Sequence, residues 1–145
     1  MLDIGTGTGV LAIAAARALR RRVAASDIDP AAVAVARNNA RLNRVGACIG
    51  VVHANGVGAQ RLRGRYDLVF ANILLGPLRR LATPIARVAA PNARIVLSGL
   101  LRSQANAALA AYRAHGLTLE RRISLDDWMT LVLRRRGVAA RRSAQ

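Results

Sequence analysis

Lysine is absent from this 145-residue chain, and cysteine, tryptophan and phenylalanine occur once each. With Cys48 alone, an internal disulfide and a cysteine-rich metal site are both excluded. Aromatic residues make up 3% of the chain while hydrophobic residues make up 53%. The core must therefore be Ala, Val, Leu and Ile, a composition suited to close-packed helices on an aliphatic sheet. No run of about 18 uncharged apolar residues is present, so no membrane-spanning helix is expected. The apolar opening from Met1 to Ala16 is broken by Asp3, glycines and threonines and has no basic leader, which argues against a secretory signal. A cytoplasmic setting is expected.

Acids are scarce as well: 7 against 23 basic residues, every one of them arginine, for a formal net charge of +16. Such an excess invites a nucleic-acid reading, because clustered cations displace counterions from phosphates. An all-arginine, alanine-rich pattern is also what a GC-rich genome writes at tolerant surface positions. The runs Arg20-Arg21-Arg22 and Arg134-Arg135-Arg136 fall where a helix and a strand are expected to end. A solvated surface is the primary reading, and attraction to an RNA-rich partner such as a ribosome is the alternative. Residues 137–145 read as a basic, disordered tail behind a single domain of residues 1–136.

Hydrophobic patterning predicts strands at residues 2–4, 23–26, 49–53, 66–71, 94–98, 117–123 and 128–133. Helices are predicted over 10–20, 31–42, 78–89 and 102–115, with 54–65 a glycine-bearing loop or poorly formed helix. Asp29 before Pro30 reads as a cap followed by proline at the first helical position. In the helix it starts, Val33 is placed opposite the stretch from Arg37 to Arg41. The pair Pro91-Asn92 is expected to end the third predicted helix, and His115 beside Gly116 to cap the fourth. The last two strands are joined by a polar turn at 124–127, too short for a parallel crossover, so they should form an antiparallel hairpin. The fold expected is α/β: a sandwich with a mostly parallel sheet, an antiparallel C-terminal hairpin strand and a truncated first strand.

The most informative segment is Asp3-Ile4-Gly5-Thr6-Gly7-Thr8-Gly9, between a strand stub and a helix. Alternating glycines clear side chains from a turn that a ligand must approach closely. The spacing is G-x-G-x-G rather than the dinucleotide G-x-G-x-x-G, and no lysine follows as in a phosphate-binding loop. Asp3, just ahead of the first glycine, would repel a pyrophosphate and suits a cationic, phosphate-free ligand. About 20 residues on, Asp27 ends the second predicted strand, where one carboxylate can accept both hydroxyls of a ribose.

Asp3 to Gly9 together with Ser26-Asp27-Ile28-Asp29-Pro30 resembles the first two motifs of class I S-adenosylmethionine-dependent methyltransferases. Asn72-Ile73-Leu74-Leu75-Gly76-Pro77-Leu78 narrows the likeness, and so do Ser98-Gly99-Leu100-Leu101 and Asp127-Trp128. These segments are similar to the ribosomal protein L-eleven methyltransferases of bacteria, over residues 2 to about 136. The resemblance implies a Rossmann-like fold, S-adenosyl-L-methionine as cofactor, and methylation of lysine side chains and the N-terminal amine of ribosomal protein L-eleven. It assigns cofactor contact to Gly5, Asp27 and Asn72, which Asp3 and Gly7 join through the glycine motif. Asn72 and Ile73 become the catalytic candidates, their carbonyl oxygens accepting the amine's N–H bonds; an asparagine buried at an apolar strand end would otherwise be costly.

Asn55 stands where many class I enzymes place an adenine-contacting acid. His53 is expected at the surface and Trp128 in the core. Family members carry a separate N-terminal domain that grips the ribosomal protein, and this chain begins inside the first motif. A fragment or a late-start gene model is expected, binding cofactor weakly when alone. Two rivals stay open: a class I enzyme acting on another protein or a small amine, and a catalytically dead, basic ribosome- or RNA-binding module.

Overall fold

A computed structural model describes residues 1–137, so all of the expected basic tail but Gly137 lies outside the described residues. Seven strands form one sheet in the order β3-β2-β1-β4-β5-β7-β6. They are β1 (Leu2–Ile4), β2 (Val23–Asp27), β3 (Ile49–His53), β4 (Tyr66–Asn72), β5 (Ala89–Leu101), β6 (Leu117–Leu125) and β7 (Trp128–Arg135). Five helices connect them: α1 (Val10–Leu19), α2 (Pro30–Leu42), α3 (Leu75–Arg80), α4 (Ala82–Val88) and α5 (Ala105–Arg113). The first five strands pair in parallel, and β7 runs antiparallel to both β5 and β6. The expected α/β sheet with its closing hairpin is therefore the observed one.

Two apolar clusters hold the layers. Under α1 and α2, Ala12, Ala16, Val33, Ala36 and Ala40 pack on Val23, Ala25 and Val51. On the opposite face, Leu78, Ile85, Leu109 and Tyr112 pack on Val69, Ile95, Leu97, Leu131 and Leu133. Small side chains let α1 and α2 approach the sheet closely, which is how a core with few aromatics reaches full packing. Asp29 caps α2 as expected, its side chain accepting from Ala31 N–H at 2.8 Å. Ala40, however, lies between Arg37 and Arg41 and is buried on the same face as Val33, because seven residues are close to two helical turns.

Three boundaries differ from the sequence expectation. The helix predicted over 78–89 is two helices, α3 and α4, meeting at Leu81. Pro84 explains the break: it has no N–H for the carbonyl of Arg80, and its ring crowds that carbonyl. Pro91 and Asn92 do not end a helix but lie inside β5, where the pairing with β4 jumps from Tyr66–Ala89 to Leu68–Arg94 and Asn92 takes φ 62°. The helix predicted from 102 opens as a 3-10 turn, Arg102–Gln104, before α5 begins. Gly116, at φ 78°, follows the end of α5 as expected. No helix among the described residues is long and apolar enough to cross a membrane.

Candidate active site

The loop leaving β1 turns through Gly5, Gly7 and Gly9, at φ 68°, 54° and 83°. Gly5 is doubly constrained, since a methyl group there would lie well under 3.0 Å from Ile73 Cγ2. The loop can meet the end of β4 only with hydrogen at that position. The N–H groups of Gly5 and Thr6 both donate to the Ser26 carbonyl, at 2.8 and 3.0 Å, and so tie the loop to β2.

Asp27 ends β2 with its carboxylate already oriented. Oδ2 accepts the Gly7 N–H at 2.8 Å and Oδ1 accepts the Asp29 N–H at 3.0 Å. Each oxygen keeps a further acceptor site. Two ligand hydroxyls could therefore be received without moving the side chain, which lowers the ordering cost of binding.

Asp3 is buried. Its Oδ2 accepts the Thr6 hydroxyl at 2.7 Å, while Oδ1 is enclosed without a hydrogen-bond partner. Burial pushes this carboxyl above the ordinary carboxylate range, and the Thr6 hydroxyl pulls it the other way.

A cleft of about 630 Å³ opens at the carboxyl ends of β1, β2 and β4. That volume lies inside the range of roughly 300–1,000 Å³ usual for small-molecule and cofactor sites. Gly5, Asp27 and Ile73 meet in it, with Ile4, Ile28 and Leu81 as apolar wall and Asn55 and Arg80 as polar lining. Asp3, Gly7 and Asn72 do not line it. Gly7 is joined to it through Asp27, and Asn72 is the neighbour of Ile73.

Asn72 is exposed, not buried as the sequence suggested, so the cost of burying its amide gives no argument for a role. Its placement is constrained from another side. In register it sits opposite Ser98 of β5, and a methyl group on Gly99 would overlap Asn72 Oδ1, well under 3.0 Å away. Gly99 also takes φ 72°, a conformation that side-chain-bearing residues rarely adopt.

The other singled-out residues divide. His53 is exposed, its ring nitrogen 2.9 Å from the Ile28 carbonyl, and Asn55 does line the cleft. His115 is no helix cap: its Nε2 pairs with the Thr83 hydroxyl at 3.0 Å, because α5 has already ended and the ring reaches across to α4. Trp128 is not a core aromatic. It stands at the start of β7, at the hairpin tip, and more than half of it is exposed.

The sequence reading missed the outer wall of the cleft. Ser26, fully buried, donates its hydroxyl to the Gly56 carbonyl at 2.8 Å, and Ala54 N–H donates to the Asp27 carbonyl at 2.8 Å. These bonds fold residues 54–56 over the end of β2. A serine within an otherwise apolar strand was the available signal, since a buried hydroxyl requires a partner.

Sheets of this order, with the antiparallel strand inserted beside β5 and the cleft over β1, β2 and β4, are those of the Rossmann-like class I methyltransferases. A solved structure from Lactobacillus delbrueckii subsp. bulgaricus, described as a ribosomal protein L11 methylase, superposes with TM-score 0.87 at 26% identity, over 94% of this chain and 69% of that one. An RNA methyltransferase from Salinibacter ruber, solved in complex with S-adenosyl-L-homocysteine, shares the fold at TM-score 0.73 and 18% identity, over 99% of this chain and 85% of that one.

The chain belongs to the ribosomal protein L11 methyltransferase (PrmA) family, whose family model matches residues 1–136. It is 56% identical to the ribosomal protein L11 methyltransferase of Bradyrhizobium diazoefficiens over 139 residues, which cover 94% of this chain and 47% of that protein. The chain thus spans about half the length of the curated relatives it matches.

Proposed function

We propose that residues 1–136 form the catalytic unit of an S-adenosylmethionine-dependent methyltransferase acting on amino groups, lysine side chains and the N-terminal amine, of ribosomal protein L11. The observation that carries this reading is the convergence of Gly5, Asp27 and Ile73 on one cleft at the strand ends. Its size, its bare glycine edge and its pre-aimed carboxylate fit a nucleoside bearing a short amino-acid arm. When bound, the cofactor supplies a methyl group on a sulfonium, whose departure as a neutral thioether needs little covalent assistance.

The chain's own residues then hold and aim. Asp27 accepts the two ribose hydroxyls while keeping its bonds to Gly7 and Asp29. The positive-φ glycine loop leaves room for the amino-acid arm, and the negative charge of Asp3 behind it favours a cation. Asn72 Oδ1 and the Ile73 carbonyl accept the N–H bonds of an incoming neutral amine and direct its lone pair, so catalysis is positioning. The relatives' description supplies the substrate, and the cytoplasm, where ribosomal proteins are made, is the compartment that fits.

Calorimetry with S-adenosyl-L-homocysteine tests the cofactor site. Asp27→Ala removes two charge-assisted bonds worth about 1.5–3 kcal/mol each, so affinity should fall by roughly 10²-fold or more. Equal binding by the parent and Asp27→Ala would sink the assignment.

A further inference from the structure

We propose that the tip of the β6–β7 hairpin, with the adjoining end of β5, is the docking surface for a lysine-bearing, apolar-flanked segment of a basic protein. The inference rests on the methyl-transfer reading and names the surface that the substrate would meet.

The first observation is an uncovered apolar face. Leu131 and Leu133 of β7 turn into the cluster beneath α5, and Met129 packs against it. By strand alternation Trp128, Thr130 and Val132 face the other way. On that side the cluster under α1 and α2 reaches only as far as Leu68 and Phe70 of β4. Past it, Leu101 pairs with Trp128 and Trp128 with Leu125. These three side chains are 42%, 54% and 71% exposed. A contiguous exposed group of tryptophan and leucines on a strand tip marks an interaction site.

Its position is the second observation. Asn72 is in register with Ser98, and Leu101 lies three residues further along β5, past the register shift at Gly99, so no more than roughly 10 Å away. Leu74, 78% exposed, follows Asn72 by two residues and lines the cleft. A segment whose lysine reaches Asn72 would therefore lay its neighbours on Leu101 and Trp128.

Charge supplies the third. The chain has 7 acids against 23 arginines. Asp67 and Glu120 are spent on ion pairs with Arg21 and Arg94, away from the hairpin tip. Of the remaining five, Asp27 lines the cleft, Asp3 is buried, Asp29 caps α2, and Asp126 and Asp127 form the turn at the hairpin tip. Asp126 and Asp127 are exposed and in no ion pair among the described residues. Arg102, the nearest cation bonded to the tip, donates to the Asp126 carbonyl and not to its carboxylate. The three-arginine runs Arg20-Arg21-Arg22 and Arg134-Arg135-Arg136 sit at the far ends of the strands, and Arg121-Arg122 lies on β6 short of the tip, with Arg122 bonded to Asn106. An arginine-rich molecule that keeps two exposed, unpaired acids beside its exposed tryptophan is matched to a cationic, partly apolar partner.

Trp128 is the chain's single tryptophan, so its fluorescence reports on this surface alone. The test titrates the 145-residue chain with a tryptophan-free peptide of alternating lysine and leucine, and with its glutamate–leucine counterpart. The lysine peptide should shift the emission to the blue and saturate. The glutamate peptide should leave it unchanged, and Leu125→Ser with Asp126→Asn and Asp127→Asn should weaken the lysine peptide at least tenfold. In parallel, Trp128→Ala should raise KM for L11 at least tenfold while leaving kcat and the affinity for S-adenosyl-L-homocysteine within threefold. Equal response to both peptides, no response to either, or a concentration-dependent dimer whose formation Trp128→Ala abolishes would each overturn the proposal. Cofactor binding is measured separately: its loss in the parent chain would refute the methyltransferase reading, whereas a silent Trp128 with intact cofactor binding refutes only the docking surface.

Discussion

Replacing Gly99 with alanine isolates the link between a backbone position and the chemistry assigned to Asn72. Gly99 takes φ 72°, so alanine costs on the order of 1–2 kcal/mol from backbone conformation alone. The added methyl would also overlap Asn72 Oδ1, and the amide is the group free to yield because it is exposed. A shift of about 1 Å at a positioning group costs on the order of 10²-fold in rate. Gly99→Ala should therefore unfold in urea with about 1–2 kcal/mol less stability, yet transfer labelled methyl from S-adenosylmethionine to L11 about a hundredfold more slowly. In an Asn72→Ala background the same substitution should slow transfer little further, because the group it displaces is already gone. The side-chain amide resonance of Asn72, identified by its disappearance in Asn72→Ala, should move in Gly99→Ala. A folded Gly99→Ala that moves this resonance yet transfers within threefold of the parent would refute the role given to Asn72. A full hundredfold additional loss in the double variant would place the effect of Gly99 elsewhere.

Two further outcomes follow from buried polar groups. Asp3→Asn keeps an acceptor for Thr6 and removes a charge whose carboxyl burial holds above the ordinary range. Because the folded chain takes up this proton before the unfolded chain does, the variant's stability gain should be full above the raised value. It should shrink as pH falls through the raised value and vanish below about 3.8, as chemical denaturation across pH would show. Tyr112→Phe removes a buried hydroxyl that donates to the Leu78 carbonyl at 3.1 Å and joins α5 to α3. Stability in urea should drop by about 1–2 kcal/mol with cofactor affinity unchanged, and an unaltered midpoint would count against that bond.

The parallel sheet was legible because its strands are short apolar runs bounded by glycine, proline and aspartate, and the hairpin because its connection is too short to cross over. The cleft's Gly5 and Asp27 were legible because chemistry requires those residue types at strand ends. Pro84 hid in a helical pattern, since a spacing rule registers apolar residues and overlooks a missing N–H. Trp128 misled because its size favours burial, and only the pairing of β7 puts it at a tip. The roles of Gly99 and Gly56 were invisible: each is set by a neighbour distant in sequence, Asn72 in one case and Leu81 in the other.

The central strand joins its neighbours through only three residue pairs on each side, Leu2 to Ile4 with Ala24 to Ser26 and with Val69 to Ala71. The walls of the cleft divide along that seam, with Asp27 on one flank and Ile73 on the other, while each apolar cluster crosses it on its own face of the sheet. A molecule lodged there would rivet the two halves together. Occupancy should therefore register as resistance to heat and to proteases, growing with the logarithm of ligand concentration.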